Sequence, residues 1–223
     1  NLFPESVGGS GMGYLAAAVV SEELARNDVR FAACYNQQAA TCPYCIFTAG
    51  TVEQVVKYVP NLLAGETIGM MSLTEPGGGS DALGNMHTRA VRDGDYYVLN
   101  GSKMWASMAN ETDVGVLLAK TDPDAGHRGV TAFIVETAWE GFNVRRVVHT
   151  LRSAKYATEI QLEDLRVPHE NILGEEGGGF AIANDRLSRQ RVPYAAECIG
   201  VAIRAHEMAT EYAKIRETFG APL

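Results

Sequence analysis

Positive charge is scarce in this sequence: 19 Lys and Arg stand against 27 Asp and Glu over 223 residues, a formal net charge of −8. That balance argues against nucleic acid and anionic membrane surfaces as partners, since both are polyanions. Long hydrophobic runs are also missing. Stretches such as Leu15 to Val20 are far too short to span a bilayer as a helix. Cysteine is sparse. Cys34, Cys42, Cys45 and Cys198 do not make a secreted disulfide framework in a chain of this size, which points to a reducing compartment. No second Cys pair or His pair accompanies Cys42 and Cys45, so a zinc site is disfavoured. The five His are scattered, and no Ser, His and Asp ordering suggests a nucleophilic triad. There is no initiating Met and no leader segment, and Asn1-Leu2-Phe3-Pro4 reads as interior sequence, so a fragment is expected. What is present, 46% hydrophobic and 21% charged residues, is ordinary for a globular protein and excludes disordered or collagen-like classes.

Three stretches differ in period. Up to about Gly65 the pattern is helical: Met12 to Arg26 is rich in Ala, Leu and Glu, with Leu15, Ala18 and Val19 at helical spacing. Thr51 and Gln54 form a capping box, and Val52, Val55, Val56 and Val59 make an apolar stripe that is expected to pack on a core and stop at Pro60. From Ile68 to Val167 the runs Met86–Val91, Tyr96–Leu99, Val114–Leu118 and Val130–Val135 are β-rich, with Asp93-Gly94, Asn100-Gly101 and Asp122-Pro123 as turn signals. These spacings predict an antiparallel barrel or sandwich and exclude a Rossmann domain. After Gly177-Gly178-Gly179 two further helices are expected, Phe180 to Arg191 and Pro193 to Arg216. The fold class is α+β multidomain: helical residues 1–67, a middle β domain at 68–174, and the start of a C-terminal helical bundle at 175–223, expected to be truncated.

Four segments carry candidate chemistry. Cys42-Pro43-Tyr44-Cys45 has the spacing of a dithiol motif, but that motif needs a preceding strand, and Ala32 to Ala40 is not β-rich. The segment therefore reads as packed small residues. Leu73-Thr74-Glu75-Pro76-Gly77-Gly78-Gly79-Ser80-Asp81 places glycines and hydroxyls where backbone N–H groups can approach an anion such as a diphosphate, and an ordinary surface loop fits it equally. It lacks the Lys of a P-loop. Met104-Trp105-Ala106-Ser107 offers a flat apolar face and a hydroxyl to a planar cofactor, or an aromatic to the core. Arg216-Glu217-Thr218-Phe219 ends a helix with a cation and a hydroxyl suited to phosphate.

Taken in order, these segments resemble the acyl-CoA dehydrogenase family almost end to end. Pro4-Glu5-Ser6-Val7-Gly8-Gly9 and Glu22-Glu23-Leu24-Ala25-Arg26 resemble its helical N-terminal domain. Leu73 to Asp81, Tyr97 to Lys103 and Arg128 to Phe133 resemble its middle domain. Val167-Pro168, Asn171 to Glu175 and Gly177 to Phe180 resemble the passage into its last domain, and Arg216 to Gly220 a flavin-binding element. The resemblance implies FAD as cofactor and oxidation of an acyl-CoA thioester to its 2,3-enoyl form, as in fatty acid metabolism. Electrons would pass to an electron-transferring flavoprotein. It also implies a homo-oligomer, dimer or tetramer, in a bacterial cytoplasm or a mitochondrial matrix. An oxidase or monooxygenase on the same fold, or a non-catalytic flavin-binding homologue, are the alternatives.

Residue by residue, the resemblance implies that Met71, Leu73, Thr74, Gly79, Ser80, Trp105 and Ser107 hold the flavin and its diphosphate. Arg216, Glu217, Thr218 and Phe219 would reach the FAD of a neighbouring subunit. Ser80, Lys155, Ser188 and Arg191 would face the acyl-CoA. Leu151, Lys155 and Ser188 depart from the residues usual in the family, which implies an acyl-CoA pocket of its own kind. Gln190 occupies the position that supplies the base in one subgroup, and an amide cannot take a proton at neutral pH. Glu75, Glu175 and Glu176 are set aside as bases. The catalytic carboxylate is expected beyond Leu223, and the 223-residue chain is expected to be inactive by itself.

Overall fold

A computed structural model describes residues 2–82, 84–150 and 156–223. Four helices come first: α1 (Gly13–Asn27), α2 (Val29–Ala40), α3 (Cys42–Ala49) and α4 (Val52–Ala64). Helix α4 starts on the expected capping box, with the Gln54 N–H donating to Thr51 Oγ1 at 3.2 Å and the Thr51 N–H donating to Gln54 Oε1 at 3.0 Å. It does not stop at Pro60, which sits inside the helix. The end comes at Gly65, whose left-handed backbone (φ 76°) lets its N–H reach the carbonyls of Asn61 and Leu62. The valine stripe also differs from expectation. Val59 is buried, whereas Val52 and Val56 face solvent, because Tyr58 and Leu62 share the buried face with Val59. Thr51→Ala should lower stability by about 1 kcal/mol, since one orphan N–H loses its acceptor, and a thermal melt would read it.

The β domain comprises β1 (Gly69–Ser72), β2 (Arg89–Asp93), β3 (Tyr96–Ser107), β4 (Val114–Lys120), β5 (Val130–Glu136), β6 (Phe142–Val148), β7 (Ala157–Pro168) and β8 (Ile172–Leu173). They form one sheet in the order β6-β7-β3-β2-β4-β5-β8, with β1 alongside β4. Most pairs are antiparallel, as the spacing of turns predicts, but β1 runs parallel to β4 and β2 meets β4 in the parallel sense. The period-two alternation divides the core. Val114, Val116 and Leu118 of β4 face α3 and α4, together with Val130, Ala132 and Ile134 of β5. Leu117, Ala119, Phe133 and Val135 point the other way, into an interior shared with Tyr97, Ile160 and Leu165.

Two expected breaks fall inside elements. Asn100-Gly101 is not a turn but a bulge within β3. Gly101 is required there for close approach: a Cβ would lie 2.6 Å from the Thr88 Cα. The β-rich run from Met86 becomes strand only at Arg89. In the last stretch the two expected helices are one, α5 (Gly179–Ile215), with Pro193 inside it at the loss of one backbone hydrogen bond. Helix α5 packs along α1. The buried stripe of α1 is Ala17, Ser21 and Ala25, while Leu15 and Val19 are exposed, because only small residues allow so close a crossing. Beyond α5, β9 (Glu217–Thr218) and β10 (Ala221–Pro222) make a short hairpin.

Candidate functional site

A cleft of about 190 Å³ opens where the β domain meets the helices. Met71 to Thr74, at and after the end of β1, form one side with Met104 to Ser107 of β3. The Met104 N–H donates to the Thr74 carbonyl at 2.9 Å and ties these two segments together. Gln37 and Thr41, at the end of α2, and Arg186, Leu187 and Tyr194 of α5 supply the rest of the lining. Among the described residues no carboxylate lines the cleft. A larger hollow of about 400 Å³ lies elsewhere, between Gly8–Ser10 and α2 and α4. It carries no acid, imidazole or cation, and its Gln38 is committed to backbone groups of Leu62, Thr67 and Gly69.

Trp105 owes its position to strain. The β3–β7 register slips between Met104 and Ala106, so Trp105 is the unpaired residue of a bulge, with φ +66°. A bulky side chain rarely adopts that backbone, and a bulge re-aims what it carries. Here it leaves the indole half-exposed at the cleft instead of buried in the sheet. Of the two uses the sequence left open for Trp105, exposure at a cleft is the one found. The adjacent Ser72 hydroxyl is buried and has no partner among the described residues, so an incoming polar atom would find a donor waiting.

Beneath the Gly-rich loop lies an ion pair that sequence reasoning missed. Lys103 Nζ donates to Glu75 Oε1 at 2.9 Å and to the Leu73 carbonyl at 3.1 Å, with Lys103 fully buried and Glu75 nearly so. Glu75 also accepts the His87 N–H at 2.6 Å and the Thr88 N–H at 3.0 Å. Burial pushes the Glu75 carboxyl up, but Lys103 and those N–H groups more than reverse this and hold it below the usual carboxylate range. Burial pushes Lys103 down to about 8, against the pull of Glu75. Glu75 is thereby an anchor for the loop and not a base.

The structure brings Met71, Leu73, Thr74, Trp105 and Ser107 together in the cleft. Gly79 and Ser80 are exposed on the loop outside it. Arg216, Glu217, Thr218 and Phe219 lie at the far end of α5, Phe219 wholly exposed, and none lines the cleft. Ser188 and Arg191 are on the exposed side of α5, and Lys155 and Leu151 fall outside the described residues. Gln190 is buried, its Nε2 donating to the Asn36 carbonyl at 3.3 Å and to Thr41 Oγ1 at 3.1 Å.

Thr41, Gln37, Arg186 and Tyr194 were not singled out from sequence. One signal was present for Arg186: Ala183, Gln190, Pro193 and Glu197 are buried at helical spacing, and Arg186 falls on that stripe. Cys42 and Cys45 are buried free thiols that burial pushes up, Cys45 to about 12, so the packing reading of that segment holds. Among the described residues no cluster of His, Cys, Asp and Glu could hold a metal, and no helix is long and apolar enough to cross a membrane.

Three family models match in chain order: the acyl-CoA dehydrogenase N-terminal domain at residues 2–66, the middle domain at 70–165 and the C-terminal domain at 177–223. The chain belongs to the acyl-CoA dehydrogenase family. It is 37% identical to a glutaryl-CoA dehydrogenase of Desulfococcus multivorans over 100% of this chain and 58% of that protein. It is 40% identical to subunit CarC of the caffeyl-CoA reductase-Etf complex of Acetobacterium woodii, over 97% of this chain and 57% of that protein. The butyryl-CoA dehydrogenase structure from Megasphaera elsdenii superposes with a TM-score of 0.94 at 37% identity, covering 100% of this chain and 59% of that one. The chain thus spans somewhat more than half the length of the relatives it matches.

Proposed function

We propose that this acyl-CoA dehydrogenase family member uses FAD to oxidise an acyl-CoA thioester to the 2,3-enoyl-CoA and hands the electrons to an electron-transferring flavoprotein. The observation that carries the reading is the cleft itself: the bulged end of β3 turns Trp105 and Ser107 toward the segment Met71–Thr74, with α5 as the facing wall. The residues present fit the cofactor, since an apolar flat face, several hydroxyls and the unpartnered Ser72 oxygen suit a planar ring with a polar edge. The Etf-complex relative is consistent with the electron acceptor.

FAD, when bound, supplies the two-electron acceptor for a C–H bond that the thioester alone does not sufficiently activate. Met71, Leu73 and Trp105 would enclose the ring and keep water from it. The Thr74 and Ser107 hydroxyls would hydrogen-bond its polar edge, and the exposed loop at Gly79 and Ser80 would meet the diphosphate. Arg216 to Phe219, remote from this cleft, would serve the FAD of a second subunit in a dimer or tetramer. Arg191 and Ser188, with Lys155, would meet the CoA moiety.

Gln190 has both amide protons committed between α2 and α5, so its role is to hold the cleft wall. Among the described residues no carboxylate lines the cleft, so the α-proton acceptor would be a carboxylate supplied from outside these 223 residues.

The test is to load the full-length protein, of which these 223 residues are read as a part, with FAD and add saturated acyl-CoAs without oxygen. The flavin absorbance should bleach, recover on adding electron-transferring flavoprotein and recover slowly in air. Rapid recovery in air with peroxide formation would assign the protein to the oxidase or monooxygenase class. Bound flavin that no acyl-CoA bleaches would leave a non-catalytic homologue. Ser107→Ala should slow flavin reduction about fivefold, the equivalent of one hydrogen bond near 1 kcal/mol, with a smaller effect on FAD affinity.

A further inference from the structure

We propose that Arg186 is the specificity-determining residue of the cleft and that it selects an acyl-CoA whose acyl chain ends in a carboxylate. The proposal rests on the dehydrogenation reading above and names the substrate class for it. Arg186 projects from α5 into the cleft, on the wall facing Thr74 and Trp105–Ser107, with Thr41 and Tyr194 beside it. It is a cation without a counter-ion: among the described residues no carboxylate makes an ion pair with it. The acids nearby are taken. Asp185 accepts the Tyr44 hydroxyl at 2.7 Å and Arg189 Nε at 3.1 Å, and Glu197 accepts Asn36 Nδ2 at 3.0 Å.

The guanidinium is hydrogen-bonded to Thr41 and to the Tyr194 hydroxyl, but one of its donors is unspent. Nη2 donates to Thr41 Oγ1 at 2.8 Å, whereas Nε is buried with no partner. Thr41 Oγ1 also accepts from Gln190 Nε2 at 3.1 Å, which fills its lone pairs, so Thr41 has no acceptor capacity left to offer. Burial pushes the Arg186 pKa down, yet a guanidinium keeps its proton at neutral pH. A folded protein holding a desolvated, unpaired charge at the mouth of a ligand cleft gains most from a ligand that completes the pair.

A carboxylate matches the planar fork with two acceptors, one for Nε and one for a terminal nitrogen. A methyl-terminated acyl chain would desolvate the guanidinium further and give it nothing. Sites built around a buried polar group reject ligands lacking the complementary group far more steeply than apolar sites reject a missing methylene.

The experiment compares glutaryl-CoA and adipoyl-CoA with pentanoyl-CoA and hexanoyl-CoA on the FAD-loaded full-length protein, reading kcat/KM, equilibrium affinity and the melting temperature of the ligand-free form. The natural protein should favour the dicarboxylic acyl-CoAs by about 100-fold or more. In Arg186→Met, which keeps an unbranched stem, that ratio should collapse. The melting temperature of the variant should be unchanged or raised, because an unpaired buried cation has been removed. Bleaching by pentanoyl-CoA with no preference for glutaryl-CoA, or a ratio that Arg186→Met leaves untouched, would overturn the carboxylate assignment and leave the dehydrogenation reading standing. Failure of all four to bleach a bound flavin would overturn both.

Discussion

Replacing Lys103 with Met should destabilise the fold by about 3–5 kcal/mol, the usual cost of removing one partner from a buried ion pair. Glu75 would keep its hydrogen bonds from His87 and Thr88 but lose the cation that neutralises it, in a place where neither side chain reaches solvent. The double change Lys103→Met with Glu75→Gln should recover part of the loss, because it removes the stranded charge while an amide oxygen still accepts one N–H. The function should suffer with the fold. Lys103 also holds the Leu73 carbonyl, so its loss loosens Leu73 and Thr74, and FAD affinity should fall in the single variant.

The same pair gives a pH signature whose sign differs between its members. Glu75 is held below its ordinary value, so its stabilisation is present above the usual carboxylate range and disappears as pH falls through the lowered folded value. Lys103 runs the other way. Its folded value of about 8 lies below the ordinary 10.5, so between those values the unfolded chain binds more protons than the folded one. Stability from this group therefore rises with pH across that window, and unfolding at about pH 9 should take up close to one proton at Lys103. Calorimetry in buffers of different ionisation heat would measure it. Equal uptake by the natural protein and Lys103→Met would show that Lys103 does not titrate there.

Gly200→Ala is expected to be the other damaging change. A Cβ at Gly200 would lie 2.1 Å from the Glu22 carbonyl oxygen and 3.0 Å from the Arg26 nitrogen, both backbone atoms of α1 that no side-chain rotation can move. The helix itself would gain up to about 1 kcal/mol from the exchange of Gly for Ala. Overpacking of this severity costs about 1–3 kcal/mol or more, so the clash decides the sign. Relief requires α1 to move away from α5, and α5 carries Arg186, Leu187 and Tyr194 into the cleft. Both the melting temperature and FAD affinity should drop. Val201→Ala, one residue along on a more open face, should shift stability by less than about 0.5 kcal/mol and serves as the control.

Local signals in the sequence were reliable where the structure is decided locally. The Thr51–Gln54 capping box, the Asp93-Gly94 turn and the strands β4 and β5 depend on residues a few positions apart, and all are found. Signals of the same kind misled where a distant neighbour intervened. Asn100-Gly101 has the composition of a hairpin turn, yet β7 pairs across it and Thr88 presses on the glycine, so the chain runs straight on as a bulged strand. Pro60 reads as a stop and Pro193 as the start of a new helix, but each helix packs well enough on both sides of its proline to carry the lost hydrogen bond. The stripe of valines in α4 has perfect helical spacing and still leaves Val52 and Val56 in solvent, because periodicity says which residues share a face and not which face is covered.

By itself the sequence determined the family, the order of helical and β domains, and the cluster Met71, Leu73, Thr74, Trp105 and Ser107 that the cleft brings together. Only the tertiary structure decided which way Trp105 points, that Lys103 is sealed against Glu75, and that Arg186 stands in the cleft with no counter-charge among the described residues. The reason is range. A cap or a strand is stabilised by groups within a few residues, so its signature is written contiguously. The pairing of Lys103 with Glu75 spans 28 residues and that of Arg186 with Thr41 spans 145. Whether such a charge is solvated, neutralised or left open to a ligand depends on what the fold packs around it, which no local pattern encodes.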